Sequence, residues 1–454
     1  MILACVTALG DRQPAHAEPL PEFDGYRGIW YMNQPTGDEF HYKYSGGMAT
    51  YPQQHIPIAV YSKEANKTFF VYGGTVDGKQ ELLHLVSYYD HATGTVPRPR
   101  VLLNKQTSDA HDNPTLQIDN EGHLWIFSSA HGTARPSYIH RSTEPWSIDE
   151  FERILETNFS YTQPWHLPEF GFLFLHTRYA DGRGLFWMTS PDGRQWSEPR
   201  PLAKIGMGDY QISWARRNRV ATAFDYHPAP LGLNARTNIF YLETSDGGRN
   251  WQNAAGEAIE LPLSDPDNAA LVHDYKSEGL LVYLKDLNFD AEGHPVILFL
   301  TSKGFEPGPE QGPHQWHTAR WTGSEWTIAP VTTSDHNYDH GSLSIEPDGT
   351  WRLIAPTDAG PQPFGTGGEM VMWTSNDAGA SWKRLKQLTS GSDRNHTYAR
   401  RPVNAHPGFY ALWADGNAFA PSESRIYFSD KQGTVRQLPV RMEGETATPA
   451  AVGR

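Results

Sequence analysis

The chain has 454 residues and a formal net charge of −14, and its composition gives no basic stripe that could neutralise the phosphates of a nucleic acid. The single cysteine, Cys5, excludes an intrachain disulfide and a cysteine-based metal site. Aromatic residues make up 12%, with 41 glycines and 34 prolines, which is typical of short strands joined by turns and of surfaces that stack on sugars. An anionic glycan would need a local cationic patch in so acidic a protein.

The first residues predict an exported protein. Residues 1–17 contain a short apolar run that leads to Ala15-His16-Ala17, an A-x-A pattern typical of a signal-peptide cleavage site. The basic residues that usually precede such a run are missing, so the pattern indicates a truncated secretory signal. Cys5 in "ILAC" alternatively marks a lipoprotein, and either interpretation predicts a secreted or periplasmic location. No later segment approaches the roughly 18 apolar residues of a membrane span.

Two histidines are expected to meet at one end of a hairpin. The stretch "DAHDNPTLQIDNEGHLWIFSSAHG" (109–132) contains two apolar strands joined by a turn at 119–122. His111 and His131 lie at the outer ends, about twenty positions apart, so an antiparallel hairpin places them side by side. His123 lies beside the turn and is expected at the opposite rim. Alternatively, the two outer histidines are ordinary turn residues that bond to the backbone.

Three turns further along the chain share an aspartate, a glycine and a tryptophan. They are "TSPDGRQW" (189–196), "TSDGGRNW" (244–251) and "TSNDAGASW" (374–382). In such an Asp-box hairpin, the aspartate accepts bonds from turn amides, the glycine is left-handed and the tryptophan packs between sheets. Less complete matches to this motif occur at 119–125, 290–296 and 346–353. The spacing predicts four-stranded blades around an axis, with room for seven in one domain over residues 18–454.

Several segments together resemble the BNR-4 type of propeller. They are "GYRGIWY" (25–31), "YKYSGGMATYPQQHIPIAVY" (42–61), "HDNPTLQID" (111–119), "FSYTQPWHL" (159–167) and "NHTYARRPVNAHPGFYALWADG" (395–416). This family of seven-bladed propellers includes ulvan lyases and the lyases or hydrolases of rhamnosyl-glucuronic acid. The resemblance spans nearly the whole chain after the leader. It implies an all-β, seven-bladed β-propeller with degenerate Asp-box (BNR) repeats, and a monomer that binds an acidic polysaccharide or oligosaccharide.

The resemblance also implies catalytic residues. Lyases of this group carry a histidine pair about twenty residues apart, followed by a tyrosine and an arginine. His111 and His131 match the pair in spacing and motif, and Tyr161 and Arg178 resemble the two residues that follow. The gap between His131 and Tyr161 is shorter than the family leads one to expect. The tyrosines that compete for this position are Tyr210 and Tyr226.

Cleavage of a 4-linked uronate by β-elimination requires three groups. A base removes the C5 proton, a cation stabilises the carboxylate as it gains enolate character, and an acid protonates the leaving C4 oxygen. Neutral histidine serves as a base near neutral pH, and arginine clamps a carboxylate while it stays charged. We therefore expect one of His111 and His131 to be the base, Tyr161 the acid and Arg178 the cation. Arg178 equally suits an exposed residue at a strand end.

Four further residues are candidates for substrate binding, each with a structural alternative. Arg236, after a polar loop, suits a second carboxylate or sulfate ligand, or an exposed strand-end arginine. Tyr210 and Tyr226 suit either sugar contacts or core positions. His55 precedes a strand aimed at the axis, and related rhamnohydrolases use a histidine in this region on the opposite face of the propeller. A purely structural role is the alternative for His55.

A third cluster offers metal-ligating side chains. It comprises "SDHNYDHGSL" (334–343), "GGEMVMW" (367–373) and "NHTYARR" (395–401), with "HDYK" at 273–276 as a possible contributor. The expected ligands of a structural Zn²⁺ or Ca²⁺ are His340, His396, His336 and His273. No short HxxxH spacing supports this set, and polar groups satisfied near a central channel are the alternative. We expect no organic cofactor.

The leading hypothesis is a polysaccharide lyase that acts on an ulvan-like or rhamnosyl-glucuronate glycan. A hydrolase of the same fold that releases rhamnose and a non-catalytic glycan-binding propeller are the alternatives. The sequence lacks an obvious close Asp/Glu pair of the kind glycosidases use, which favours elimination over hydrolysis. Nucleic acid is excluded as a partner by the charge.

Overall fold

The computed structural model describes residues 19–47, 55–179 and 182–452. The expected leader, residues 1–17, lies outside the described residues. Regular structure in the described ranges is β-strand apart from three short 3-10 helices: Ala110–Asp112, Gly232–Ala235 and Pro309–Gln311. None of the described helices is long and apolar enough to cross a membrane. The all-β class predicted from the sequence is confirmed.

Three strands precede the repeating part of the fold. They are β1 (Arg27–Gly28), β2 (Tyr31–Pro35) and β3 (Tyr42–Gly46). Strands β2 and β3 pair antiparallel, with Tyr31 opposite Gly46 and Asn33 opposite Tyr44. We call this pair of strands, residues 31–46, the N-terminal hairpin. It supplies side chains to the site described below.

From residue 59 onward the described strands form four-stranded antiparallel units in chain order. Unit 1 contains β4 (Ala59–Ser62), β5 (Lys67–Gly74), β6 (Leu83–Asp90) and, after the short β7 (Val96–Pro97), β8 (Arg100–Asn104). Unit 2 contains β9 (Pro114–Ile118), β10 (Leu124–Ser128), β11 (Ser137–Ser142) and β12 (Phe151–Thr157). Unit 3 contains β13 (Ser160–Leu167), β14 (Gly171–Arg178), β15 (Gly184–Ser190) and β16 (Arg200–Ala203). Unit 4 contains β17 (Gln211–Arg216), β18 (Arg219–Tyr226), β19 (Thr237–Thr244) and β20 (Leu271–His273).

Three more units complete the series. Unit 5 contains β21 (Leu281–Phe289), β22 (Pro295–Ser302), β23 (His314–Trp321) and β24 (Trp326–Ser334). Unit 6 contains β25 (Ser342–Ile345), β26 (Trp351–Ala359), β27 (Gly368–Ser375) and β28 (Lys383–Gln387). Unit 7 contains β29 (Asn395–Arg400), β30 (Ala411–Gly416), β31 (Ser424–Ser429) and β32 (Val435–Gln437). The short β33 (Thr446–Ala447) pairs with β7, and β34 (Ala450–Ala451) pairs with β32.

Contacts join neighbouring units and also join the last unit to the first. Thr115 Oγ1 of unit 2 donates to Thr162 Oγ1 of unit 3 at 2.8 Å. The amide of Val403, just after β29, donates to the carbonyl of Ala59 in unit 1 at 2.9 Å. Strand β1 pairs with both β31 and β5, so it bridges units 7 and 1. The first and last parts of the described chain are therefore tied together.

Burial along the strands distinguishes the inner strands of a unit from its outer strand. The second strand of unit 5, β22 ("PVILFLTS"), is buried at every position because a sheet covers each of its faces. The fourth strand of unit 6, β28 ("KRLKQ"), is half-buried or exposed throughout. Charged residues on such an outer strand also discourage pairing with another chain. Continuous apolar runs thus mark inner strands and charged runs mark outer strands.

The Asp-box turns have the predicted structure. Asp246 Oδ1 accepts hydrogen bonds from the amides of Arg249 and Asn250, both at 3.0 Å. Trp251 packs against Trp187 of unit 3, with ring centroids 5.5 Å apart. The glycines of the three turns all have a positive φ: Gly193 (73°), Gly248 (83°) and Gly379 (84°). Each turn therefore fixes a tight connection and places aromatic side chains in the adjoining core.

Substitution of one Asp-box aspartate should lower stability without altering the fold. In Asp246→Ala, the turn amides lose a charged acceptor, so the free energy of unfolding should fall by roughly 1–2 kcal/mol. Urea unfolding followed by tryptophan fluorescence measures this loss. Asp267→Ala is the control, because the exposed Asp267 accepts no hydrogen bond among the described residues. Equal stability of the two variants would contradict the structural role of Asp246.

Candidate active site

His111 and His131 lie together at one end of the β9–β10 hairpin. In the connecting turn, the amide of Gly122 donates to the carbonyl of Asp119 at 3.1 Å. The chain therefore reverses as expected, and the two imidazole rings stack with centroids 4.2 Å apart and 22° between their planes. His123 follows the turn at the other end of the hairpin. The structure thus reduces the three histidines to one close pair.

Asp109 holds both histidines, and the sequence did not single it out. Its Oδ1 lies 2.5 Å from His111 Nδ1, and its Oδ2 lies 2.7 Å from His131 Nδ1. Because a carboxylate only accepts hydrogen bonds, both Nδ1 atoms carry the proton and both Nε2 atoms are acceptors. Burial raises the pKa of Asp109, but the hydrogen bonds from His111 and His131 outweigh it and hold that pKa far below its usual range.

Burial also keeps His111 neutral. Burial lowers the pKa of His111, although the hydrogen bond to Asp109 acts in the opposite direction. The His111 side chain is 3% exposed, whereas the His131 side chain is 31% exposed. The two rings share one carboxylate but differ in their access to solvent. His131 is therefore the more accessible ring of the pair.

A second aspartate fixes the backbone at His131. Asp112 Oδ1 accepts a hydrogen bond from the His131 amide at 2.6 Å. Asp112 Oδ2 pairs with Arg135 Nε at 2.8 Å and lies 3.6 Å from Lys105 Nζ. These two cations compensate the charge of the fully buried Asp112 carboxylate. The position of His131 thus depends on contacts to both its ring and its amide.

The N-terminal hairpin adds two tyrosines that the sequence analysis did not assign to the site. Tyr44 Oη lies 3.2 Å from His111 Nε2, and Asn33 Nδ2 donates to Tyr44 Oη at 2.6 Å. Since His111 Nε2 is an acceptor, the Tyr44 hydroxyl donates to it. The Tyr31 ring meets His111 edge-on, with centroids 5.5 Å apart. The segments "GYRGIWY" and "YKYSGG" supply these residues, but only the folded chain shows that they reach His111.

Tyr161 lies against both histidines, on an irregular part of β13. Its ring centroid is 6.0 Å from that of His111 and 6.3 Å from that of His131. Its φ of 51° lies in the left-handed region, and its amide donates to Ser129 Oγ at 3.0 Å. Tyr179 Oη donates to Tyr161 Oη at 3.4 Å. This strained position for a bulky residue turns the Tyr161 ring toward the histidines.

Arg183, which the sequence analysis did not single out, lies nearer the histidine pair than Arg178 does. Arg178 ends β14, and its guanidinium carbon lies 6.0 Å from the Phe186 ring centre. Among the described contacts of Arg178, none involves either histidine. Arg183 lies 5.4 Å from the ring centre of Tyr179 and 4.6 Å from that of Tyr210. The Tyr179 ring in turn meets the His131 ring at 5.9 Å, so Arg183 is the arginine that adjoins the site.

Arg236 lies among three tyrosines. Its guanidinium carbon is 4.9 Å from the ring centre of Tyr210 and 4.7 Å from that of Tyr283. One guanidinium nitrogen lies 3.3 Å from Tyr338 Oη. The Tyr338 ring packs 4.9 Å from the Tyr44 ring, which reaches His111. Cation–π contacts of this kind hold a guanidinium group in place while its charge remains.

Lys43 of the N-terminal hairpin completes a group of cations. The Lys43 ammonium donates to Asn234 Oδ1, and its side chain is almost fully buried. Lys43, Arg183 and Arg236 are called the cation cluster below. Burial lowers the pKa of His227 well below its usual value, and the charges of all three members lower it further. The three cations therefore converge on one region, as an anionic substrate requires.

Two other candidates have supporting roles. His55 is fully buried, with Nε2 2.9 Å from the carbonyl of His111 and a ring 5.7 Å from that of Tyr161. It therefore supports the histidine pair from the interior. Tyr226 is 3% exposed and packs against Phe240 in the core. Its competitor Tyr210 is equally buried, at 3% exposure, but the Tyr210 ring also contacts Arg183 and Arg236.

The four histidines expected to bind a metal ion have different partners, and only His336 and His340 share a segment, the connection between β24 and β25. Their contacts are His273 with Glu278 (2.5 Å), His396 with Ser392 Oγ (3.0 Å), His336 Nδ1 with the Tyr338 amide (3.1 Å) and His340 Nδ1 with Lys285 Nζ (3.4 Å). His273 lies at the outer edge of unit 4 and His396 on the first strand of unit 7. The expected convergence of the four is therefore not found among the described residues.

Two other groups of three side chains have ligand atoms within 4.8 Å of one another. One comprises Asp109, His111 and His131; the other comprises Asp290, Glu292 and His294. In the second group, Arg320 Nε already binds Asp290 at 2.7 Å. Two imidazole nitrogens and one carboxylate oxygen are donors that suit Zn²⁺. The first group is therefore the better fit to a metal ion.

The fold class agrees with a known family. Residues 64–334, more than half of the chain, match the family described as "BNR repeat-containing family member". The chain therefore belongs to the BNR repeat-containing family, and it is a BNR-type propeller related to ulvan lyases.

Two similar proteins of known activity are ulvan lyases. The ulvan lyase of Nonlabens ulvanivorans is 23% identical over 343 residues, which cover 67% of this chain and 70% of that protein. The ulvan lyase of Alteromonas sp. (strain LOR) is 23% identical over 370 residues, 72% of this chain and 73% of that protein.

Two solved lyase structures share the fold. The structure of a PL25 ulvan lyase bound to GlcA(1-4)Rha3S has a TM-score of 0.72 at 17% identity, and covers 91% of this chain and 96% of that chain. The polysaccharide lyase Uly1 has a TM-score of 0.61 at 10% identity, and covers 91% and 99%. These likenesses show the fold across most of the chain.

The tautomers of the two histidines can be measured directly. In ¹⁵N-labelled protein at neutral pH, ring-nitrogen chemical shifts should show the proton on Nδ1 of both His111 and His131. In Asp109→Asn, one amide oxygen replaces two carboxylate oxygens, so at least one ring should shift to the Nε2–H tautomer. Asp192→Asn, in an exposed Asp-box, is the control and should leave both signals unchanged. Nε2–H on both rings of the unsubstituted protein would contradict the Asp109 assignment.

Proposed function

We propose that the protein is a polysaccharide lyase that cleaves a 4-linked uronate glycan, ulvan-like or rhamnosyl-glucuronate, by β-elimination. The observation that carries this proposal is the shared hydrogen bonding of His111 and His131 to Asp109 beside the cation cluster. Related ulvan lyases support it, and we propose that the seven units form a closed seven-bladed β-propeller. A polymeric substrate outside the cell also agrees with the secretory pattern in residues 1–17.

His131 is the base in this proposal. Its Nε2 is an acceptor because Nδ1 donates to Asp109, and its ring is the more exposed of the pair. When Nε2 takes the C5 proton, the imidazolium that forms is stabilised by the Asp109 carboxylate. His111 has its Nε2 beside the Tyr44 hydroxyl, so its role is to position that hydroxyl and the stacked His131 ring. One carboxylate thereby serves both rings.

Tyr161 is the acid that protonates the leaving C4 oxygen. Burial raises the pKa of Tyr161 well above its usual value, so the hydroxyl carries its proton at neutral pH. Tyr179 donates to Tyr161 Oη, which leaves the Tyr161 proton directed elsewhere and stabilises the phenolate formed after transfer. The two tyrosines therefore act together: the Tyr161 ring meets both histidine rings, whereas the described ring contacts of Tyr179 include only His131 of the pair.

Arg183 takes the role that the sequence suggested for Arg178. The arginine must face the carboxylate of the uronate while His131 faces C5 of the same sugar. Arg183 is one aromatic ring away from His131, through Tyr179, whereas Arg178 packs on Phe186. A guanidinium group held over aromatic rings keeps its charge and can clamp a carboxylate with two hydrogen bonds.

A metal ion at Asp109, His111 and His131 is the alternative use of the same atoms. A Zn²⁺ ion bound there would take the carboxylate oxygens and Nδ1 nitrogens that are hydrogen-bonded to one another, and it would act as a Lewis acid toward the uronate. The two uses exclude each other. If chelation abolishes activity and Zn²⁺ restores it, Asp109, His111 and His131 bind a metal ion.

Lyase activity produces an unsaturated uronate that absorbs near 235 nm. We expect absorbance to rise with ulvan or a rhamnosyl-glucuronate glycan, and His131→Ala to lower kcat by about 10²–10⁴-fold because the base is lost. His273→Gln, on the outer edge of unit 4, is the matched control and should retain full activity. Release of rhamnose without absorbance would instead indicate a hydrolase, and binding without any product a non-catalytic propeller.

The two arginines can be compared with the same assay. Arg183→Lys should lower kcat by about 10²-fold, because a lysine cannot form the paired hydrogen bonds to the carboxylate. Arg178→Lys should change kcat less than about twofold. A larger loss of kcat in Arg178→Lys than in Arg183→Lys would indicate that Arg178 binds the carboxylate, and it would contradict the role proposed for Arg183. Thermal unfolding of both variants checks that neither change acts through stability.

A further inference from the structure

A tryptophan is exposed on the surface of unit 2, far from the histidine pair. Trp146, in the connection between β11 and β12, is 37% exposed. Its amide donates to the carbonyl of Gly122 at 2.7 Å, in the turn that joins β9 to β10. The five residues of β9 separate this turn from the histidine end of the hairpin, and at about 3.3 Å per residue they span roughly 17 Å. A ligand on Trp146 therefore lies outside the catalytic site.

The turn is shaped to hold the indole by one face. Gly122 has a φ of 91°, and a Cβ atom at this position would lie 2.4 Å from Cε2, 2.7 Å from Cζ2 and 2.8 Å from Nε1 of Trp146. Since Cε2 is bonded to the other two atoms, these distances place Gly122 over the flat of the ring and not at its edge. Only a glycine permits this approach. The indole thus lies flat on the backbone of the turn.

The segment that carries Trp146 is fixed before any ligand binds. The amide of Thr143 donates to the carbonyl of Glu150 at 3.0 Å, and Ile148 is buried in the core at 4% exposure. Trp146 itself has a φ of 53°, in the left-handed region that costs free energy for a bulky residue. This strain serves a side chain that remains partly in solvent. A rigid aromatic ring loses little conformational freedom when it binds a ligand.

A cleft beside Trp146 offers hydrogen-bond donors and acceptors. Its volume is about 370 Å³, which lies within the roughly 300–1,000 Å³ typical of small-ligand sites. Arg100 pairs with Asp149 at 2.9 Å, and the Lys67 ammonium lies 4.0 Å from the centre of the Tyr88 ring. Its charged residues are three cations and three carboxylates: Lys67, Arg98, Arg100, Glu22, Asp149 and Glu445. The cleft therefore has no net charge and suits hydroxyl groups, which both donate and accept.

We propose that Trp146 and this cleft form a second polysaccharide-binding site, in which one face of a pyranose ring stacks on the indole. The C–H groups of a sugar pack on a flat aromatic ring, and neighbouring hydroxyls bond to the Arg100–Asp149 pair. The occupant is a segment of the polymer that is not being cleaved, so the inference rests on the proposed function for the choice of polymer. Attachment at a second point raises the effective concentration of polymer at the catalytic site.

Affinity electrophoresis in gels that contain ulvan tests the site directly. The His131→Ala protein serves as the background, because it binds polymer without cleaving it. Trp146→Ala in this background should weaken the affinity for ulvan by about two- to tenfold, since the stacking contact is lost. Trp146→Phe keeps a smaller flat ring and should give an intermediate affinity. The matched control is Leu385→Ala, which removes an exposed side chain from the outer strand β28 of unit 6 and should leave the affinity unchanged.

The length of the substrate gives a readout that a structural role would not move. With His131 intact, Trp146→Ala should raise KM for ulvan by about two- to tenfold and leave kcat unchanged. For an oligosaccharide too short to reach both sites, kcat and KM should equal those of the unsubstituted enzyme. An equal loss on the polymer and the oligosaccharide would show that Trp146 acts through the fold, and it would overturn the inference.

Three further results would overturn the second site. One is equal retention by ulvan with and without Trp146→Ala, and another is the absence of retention for both proteins. The third is a dimer, detected by sedimentation, that Trp146→Ala abolishes, because the surface then binds a second copy of the chain. Failure of the lyase function is distinguishable: ulvan then yields no unsaturated product, but retention still depends on Trp146.

Discussion

One half-buried carboxylate organises the site. Asp109 accepts a hydrogen bond from the Nδ1 atom of each histidine and, through Oδ1, from the backbone amide of His111. Two stacked imidazoles 4.2 Å apart repel each other if both are charged, so a shared anion allows one of them to take a proton. Asp112, in the same 3-10 turn, holds the His131 amide. A four-residue segment therefore fixes both rings, their tautomers and their separation.

The remainder of the site comes from distant parts of the chain. Unit 3 supplies Tyr161 and Arg183, and the loop after β18 of unit 4 supplies Arg236, while Lys43 and Tyr44 come from the N-terminal hairpin. The protein carries a net charge of −14, yet three of its cations converge on this region. A local positive field in an acidic protein draws an anionic polymer to one place on its surface. The charge distribution and the proton-transfer groups thus indicate the same class of substrate.

The sequence allowed the repeated units and the histidine pair to be predicted, because both depend on local patterns. The Asp-box residues mark turns with defined backbone geometry, and a hairpin of known length brings its ends together. The arginine is harder to identify from the sequence. Arg183 adjoins the site only through the rings of Tyr179 and Tyr210, whereas Arg178 packs on Phe186. No local pattern shows which of the two arginines meets those rings, so the role of Arg178 stays a prediction.

Other parts of the site could not be predicted, because they depend on contacts between segments that are far apart in the sequence. Tyr44 reaches His111 across 67 positions, and nothing in its local pattern distinguishes it from a core tyrosine. The histidines expected to bind metal share a residue type but not a location, since His273 and His396 belong to units 4 and 7. Asp109 was adjacent to the predicted pair in the sequence, yet its bridging role appears only when both rings are in place.

The most direct test is a crystal structure of the His131→Ala protein with a uronate oligosaccharide bound. The account predicts the uronate with C5 facing the space left by the imidazole and its carboxylate on Arg183. An oligosaccharide with its carboxylate on Arg178, or one bound away from Asp109 and His111, would contradict the account.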